Sequence, residues 1–113
     1  MLKDAKIHVL KDRLIEEIAA LDDEDAQSAD DRSTVILDQQ SVGRLSRMDA
    51  LQRQAMAEAT LRRRAARRHR IEAALARIGD DEFGYCQSCG EEIASARLDL
   101  DPAVATCVSC AYG

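Results

Sequence analysis

The chain has 113 residues, enough for one small domain or two very small modules but not for a substrate domain beside a cofactor domain. Apolar residues make up 46 % and aromatics 3 %, with no Trp, one Pro and five Gly, so the apolar content is mostly Ala, Leu, Ile and Val. That composition argues against an all-β domain and a disordered chain, and apolar runs such as residues 73–76 fall far short of the roughly 20 residues of a membrane span. The start, with Lys3 and Asp4 already charged, has no signal-peptide core, and a cytoplasmic location is expected.

The formal charge of −5 is unevenly spread. Residues 1–43 hold 5 basic and 11 acidic side chains, net −6; residues 44–78 hold 10 and 3, net +7; residues 79–113 hold 1 and 7, net −6. Each block is either a solvated helix face or one of two oppositely charged helices lying side by side.

Periodicity favours the pair. Ile7, Leu10, Leu14, Ile18 and Leu21 recur at steps of three and four, one stripe of a first arm placed at about residues 2–40. Residues 22–33 contain six acids with Ser28 and Ser33 and make poor helix; the arm is expected to fray or break there, with Ser33 capping a new turn. The bend belongs near residues 39–45, where Gly43 precedes Ser46 and Asp49, a spacing like a capping box. This places the tip at about residues 41–47 and exposes Asp38, Arg44, Ser46, Arg47, Met48 and Asp49 around it. Polar residues at a tip otherwise read simply as turn chemistry.

No Gly or Pro interrupts the second arm, about residues 46–79, which is rich in helix-forming Ala, Leu, Arg, Gln and Glu. With so few large apolar residues it needs a partner helix. In an antiparallel hairpin whose paired positions sum to about 85, Ile7 meets Ile78, Leu10 meets Leu75, Leu14 meets Ile71, Glu17 meets Arg68 and Leu37 meets Met48. Asp22, Asp23 and Glu24 then face residues 61–63, and Ala55, Ala59, Ala65 and Ala66 are expected to let the backbones approach.

All four cysteines fall in the last 28 residues, as Cys86-Gln-Ser-Cys89, a gap of 17, and Cys107-Val-Ser-Cys110. Two C-x-x-C pairs at this spacing read as a tetrathiolate zinc site, because two intervening residues turn the backbone tightly enough to offer both sulfurs to one edge of a tetrahedron. Two disulfides, a redox pair and an iron–sulfur cluster are the other readings. The first two are disfavoured by the lack of an export signal and the lack of length for a βαβ unit, while an iron–sulfur cluster is compatible with four thiolates but is the lesser reading. Gly84 and Gly90 flank the first pair and suit a knuckle whose backbone takes unusual dihedrals. His8 and His69 lie far off in the arms. Four thiolates leave no open position on the metal, so the zinc is expected to be structural and the chain not an enzyme. The module, residues 80–113, has too little core to fold without it, and chelation is expected to unfold this end and spare the helices. One zinc on four thiolates adds about −2 to its charge.

A helical hairpin followed by D-D-E-F-G-Y-C-Q-S-C-G-E-E-I and then A-R-L-D-L-D-P-A-V-A-T-C-V-S-C resembles the DksA/TraR family of bacterial transcription regulators. The match in the finger takes in Gly84, Tyr85, Gly90, Ile93, Arg97, Leu98 and Pro102 with the cysteines. The resemblance implies a mainly α fold: an antiparallel coiled-coil hairpin (residues 1–79) followed by a small four-cysteine zinc finger (residues 80–113). It implies a bacterial cytoplasmic protein that binds RNA polymerase and inserts its coiled-coil tip through the secondary channel, several members acting with ppGpp. The functional tip falls on residues 43–48, with Arg44, Ser46, Arg47, Met48 and Asp49 as candidate partner-binding residues. The namesake's Asp-x-x-Asp-x-Ala is replaced by Gly43, Ser46 and Met48, which argues against its tip chemistry and ppGpp synergy but not against polymerase binding. The chain stops three residues after Cys110 and reads as a short member without the C-terminal helix.

Two other classes stand beside this one. A zinc-finger nucleic-acid binder would use the arginines of residues 62–70, although the net charge of −5, the acidic finger and the lack of arm aromatics weigh against sequence-specific DNA contact. The other is a zinc-stapled scaffold for an unrelated protein.

Overall fold

The computed structural model describes residues 2–37 and 44–112, with side chains for residues 2–28 and 47–111. Residues 38–43, including Gly43 and most of the expected bend, lie outside the described residues, as do the side chains of Leu37, Arg44 and Ser46. Four helices follow in order: α1 (Asp4–Leu37), α2 (Arg44–Gly79), α3 (Ser95–Leu100) and α4 (Val108–Tyr112). No strand occurs among the described residues, where Tyr85 and Glu92 form a single antiparallel bridge. The fold is mainly helical, an antiparallel hairpin of α1 and α2 followed by the four-cysteine module.

The expected break at residues 22–33 does not occur; α1 runs through it without interruption. Part of the reason is local. The Ser28 hydroxyl donates to the Asp25 carbonyl (3.3 Å), and both side chains are engaged by Arg64 of α2, so groups that compete with the helix in isolation are occupied. The second helix starts at Arg44, inside the span expected for the tip.

Contacts divide the chain into two compact units, residues 1–18 with 68–113, and residues 19–67. In the first, Leu10, Leu14, Ile71 and Ala74 are at most 1 % exposed, and Ile7, Leu75 and Ile78 are half-buried. All but Ala74 are positions that the apolar stripe and its register picked out. In the second unit Ala50 is buried, and Gln54, Ala57, Leu61 and Arg64 are half-buried. Of the alanines expected at the seam, Ala59 and Ala65 are half-buried, whereas Ala55 and Ala66 face solvent, because the three-and-four spacing counted back from Ile71 lands on residues 64, 61, 57, 54 and 50. Met48, expected beside Leu37, is 52 % exposed.

α2 ends in a Schellman motif. The amide of Glu82 donates to the Arg77 carbonyl (2.8 Å) and that of Asp81 to the Ile78 carbonyl (3.3 Å). Asp81 takes the left-handed position at φ 60, where glycine is ordinarily preferred, and Gly79 stands two residues too early to fill it. Asp81→Gly should therefore stabilise the protein by about 1 kcal/mol, read as a higher midpoint of thermal unfolding.

Candidate metal centre

The finger is built on two turns and two short helices. In the first knuckle the amide of Cys86 donates to the Glu91 carbonyl (2.7 Å), that of Gly90 to the Cys86 carbonyl (2.9 Å), and that of Ile93 to the Gly84 carbonyl (2.8 Å). Gly84 and Gly90 hold φ of 95 and 78, the left-handed region expected of both from their flanking positions. In the second knuckle, α4 starts directly after Cys107, and the amide of Ala111 donates to the Cys107 carbonyl (3.0 Å). A bond from the Gln87 amide to the Ala105 carbonyl (2.8 Å) ties the two knuckles together.

These turns bring the sulfurs of Cys86, Cys89, Cys107 and Cys110 within 4.8 Å of one another, with Cys89 and Cys107 3.8 Å apart. A regular tetrahedron with zinc–sulfur bonds of 2.3 Å has edges of about 3.8 Å. A disulfide needs about 2.05 Å, so the spacing is that of ligands and not of a covalent pair. Backbone amides, that of Cys107 foremost, turn towards Cys86 and pull its thiol down to about 6, a site prepared for a thiolate. Cys110 is pushed up to about 12 by its hydrogen bonds with the other thiols, Cys107 first. Four such groups in one place need a cation between them before all can ionise. The finger holds one structural zinc, and its four thiolates complete the coordination sphere.

The centre rests on a core that the finger shares with the arms. Leu10 of α1 clusters with Phe83, Cys86, Ile93, Leu98 and Val104, and Leu2, Ile78, Cys107 and Cys110 pack against this cluster. Around it, cations from both arms hold the end of α3 and the loop after it. Lys6 pairs with the Asp99 carboxylate and Arg13 donates to the Asp99 carbonyl (2.9 Å). Arg70 reaches Asp101 (3.4 Å), and Arg77, its pKa lowered by burial, donates to the Val104 carbonyl (3.4 Å). Arg97 closes the loop from inside, donating to the Thr106 carbonyl (2.9 Å). Positive side chains near the last carbonyls of α3 also suit its dipole. Sequence reasoning missed this ring, because half its acceptors are main-chain carbonyls that carry no signature.

A Cβ on Gly84 would stand 3.1 Å from Leu2 Cδ1 as well as at a forbidden φ, whereas one on Gly90 would meet nothing within 4 Å. Gly84→Ala should cost about 1–2 kcal/mol from the backbone, with the Leu2 contact added, and more than Gly90→Ala. Zinc retention against a competing chelator would rank the two variants.

Of the expected tip residues, Arg47, Met48 and Asp49 are exposed on the first turns of α2. Arg44 and Ser46 lie in the same helix.

Comparison with known proteins agrees with this construction. The prokaryotic dksA/traR C4-type zinc finger matches residues 81–111. The RNA polymerase-binding transcription factor DksA of Haemophilus influenzae is 46 % identical over 41 residues, which are 36 % of this chain and 28 % of that protein. DksA of Escherichia coli K12 is 44 % identical over 41 residues, 36 % and 27 % of the two chains. The chain thus aligns with less than a third of the length of these relatives. In three dimensions it is similar to transcription factor DksA2 from Pseudomonas aeruginosa, with a TM-score of 0.81, 19 % identity, and coverage of 97 % of this chain and 83 % of the other. That likeness is one of fold. With the metal ligands, the knuckle turns and the match in agreement, residues 81–111 form a C4-type zinc finger of the prokaryotic dksA/traR kind.

Proposed function

We propose that the protein binds RNA polymerase through the secondary channel and regulates transcription with the tip of its helical hairpin, without catalysis. The observation that carries this reading is the finger's similarity to proteins named RNA polymerase-binding transcription factors, set on a hairpin of the same fold. In this reading residues 1–79 are the reaching element and residues 80–113 the module that braces its base. Arg44, Ser46, Arg47, Met48 and Asp49 are the contact residues, and the bacterial cytoplasm is the site of action. No described helix is long and apolar enough to cross a membrane. Action through ppGpp is not part of the proposal, because Gly43, Ser46 and Met48 replace the residues that the family pattern has at the tip.

The basic run of residues 62–70 supports the polymerase reading over direct nucleic-acid binding. Arg64 is held in the hairpin seam, Arg70 is bonded to Asp101, and Arg67 and Arg68 are half-buried and engaged. Much of the charge a phosphate backbone would need is therefore spent inside the protein. The test is the lifetime of promoter open complexes on purified polymerase. Wild-type protein should change it, and a variant with Arg47, Met48 and Asp49 all replaced by Ala should not. Equal effects from both would refute the tip's role.

A further inference from the structure

Arg64 stands at a position where a hairpin of this kind ordinarily places an apolar residue. The stripe of α2 that faces α1 in the unit of residues 19–67 is Ala50, Gln54, Ala57, Leu61 and Arg64, buried or half-buried while Leu51, Gln52, Arg53, Ala55 and Met56 between them are exposed. The facing positions of α1 are Leu21, Asp25 and Ser28, also half-buried. Such a seam is nearly featureless. Apart from Leu61 against Leu21, its two alanines and a glutamine offer no large knob whose shape would distinguish one register from the next, and steric complementarity is what sets register in an apolar coiled coil.

The polar groups do distinguish registers. Arg64 Nε donates to Asp25 Oδ1, and Arg64 Nη2 donates to Ser28 Oγ (2.9 Å). The two charged side chains are only 13 % and 22 % exposed. Helical side chains lean towards their own N-terminus, so an arginine level with Leu21 reaches one turn along α1 to Asp25, consistent with paired positions summing to about 85. Slipping α2 by one heptad in either direction would set Ala57 or Ile71 in the place of Arg64. Asp25 would then be a half-buried carboxylate facing a methyl or an isobutyl-sized side chain. A mismatched buried charge of this kind is strongly unfavourable, whereas an apolar pair in its place is often as stable as the ion pair or more so.

We propose that the Arg64–Asp25–Ser28 clamp is a positioning device: it selects one register of the two arms in this unit, at the expense of stability. Its consequence for a partner at the tip rests on the polymerase reading, but register is a property of the free protein, so the two ideas fail separately.

Three variants of the full zinc-loaded chain test it by amide NMR and hydrogen exchange: Asp25→Leu with Arg64→Leu, the charge exchange Asp25→Arg with Arg64→Asp, and Arg64→Leu alone. The wild type should give one set of amide resonances for residues 19–28 and 57–67. The double leucine variant should keep its helical ellipticity but show multiple or broadened resonances there, with exchange faster by about tenfold or more. The charge exchange should restore a single set, since an arginine at 25 leans back towards position 64. A merely structural loss of packing would not be rescued in that way. A double leucine variant with one sharp set and wild-type exchange would overturn the proposal. So would a charge exchange that behaves no better than Arg64→Leu alone.

Discussion

Stripping the zinc is expected to unfold residues 80–112 and to loosen the base of both arms with them. A structural zinc on thiolates contributes on the order of 10–16 kcal/mol at neutral pH, more than a 30-residue module with three aromatics can replace by burial. The composition of the finger alone points to an unfolding that stops at residue 80. The packing does not allow it to stop there, because Leu10 and Ile78 complete the cluster around Cys86, and Lys6, Arg13, Arg70 and Arg77 lose their partners when the loop after α3 dissolves. After chelation, or in Cys86→Ser, amide exchange should accelerate in residues 5–14 and 71–78, and helical ellipticity should fall by more than α3 and α4 account for. Exchange at the arm bases unchanged from the zinc-loaded protein would mean that the shared core contributes little. Acidification should have the same effect as chelation, since thiols that regain their protons release the metal.

Leu10→Ala should be among the most damaging single changes outside the zinc ligands. The side chain is 1 % exposed and sits where an arm meets the finger, and a buried Leu→Ala of this kind costs about 2–5 kcal/mol through lost transfer energy and the cavity left behind. For a protein of this size that lowers the thermal midpoint by roughly 10 °C or more. The neighbouring Val9 is 57 % exposed, and Val9→Ala should stay within about 0.5 kcal/mol of wild type. Comparable effects from the two would show that the periodic stripe does not mark the buried face.

The legible part of this protein is the part governed by spacing. Two C-x-x-C pairs flanked by Gly84 and Gly90 define a tetrahedral site because ligand geometry admits few alternatives. Ile7, Leu10, Leu14, Ile71 and Ile78 mark the buried faces because a helix repeats every 3.6 residues. What was not legible is governed by pairing at a distance. Residues 22–33 read as broken helix because Asp25 and Ser28 are poor helix formers in isolation, and their partner Arg64 lies 39 residues from Asp25. The same charge density that looked like two solvated faces conceals one side chain that belongs to the seam. At the end of α2, Asp81 carries the left-handed turn without the residue type that would announce it. The ring of cations around Asp99 and Asp101 was silent for the same reason: charges are read by sign and position, but carbonyl acceptors are visible only after folding.

Affinity for purified core polymerase tests most directly the proposal that the protein meets RNA polymerase through the hairpin tip. The zinc-loaded chain would be compared with its Arg47→Ala, Met48→Ala, Asp49→Ala triple variant, with duplex DNA titrated in parallel. The wild type should bind polymerase saturably, the variant at least about tenfold more weakly, and affinity for DNA at physiological salt should be negligible. Undiminished binding by the variant, or tight and steeply salt-dependent binding to DNA with none to polymerase, would contradict it.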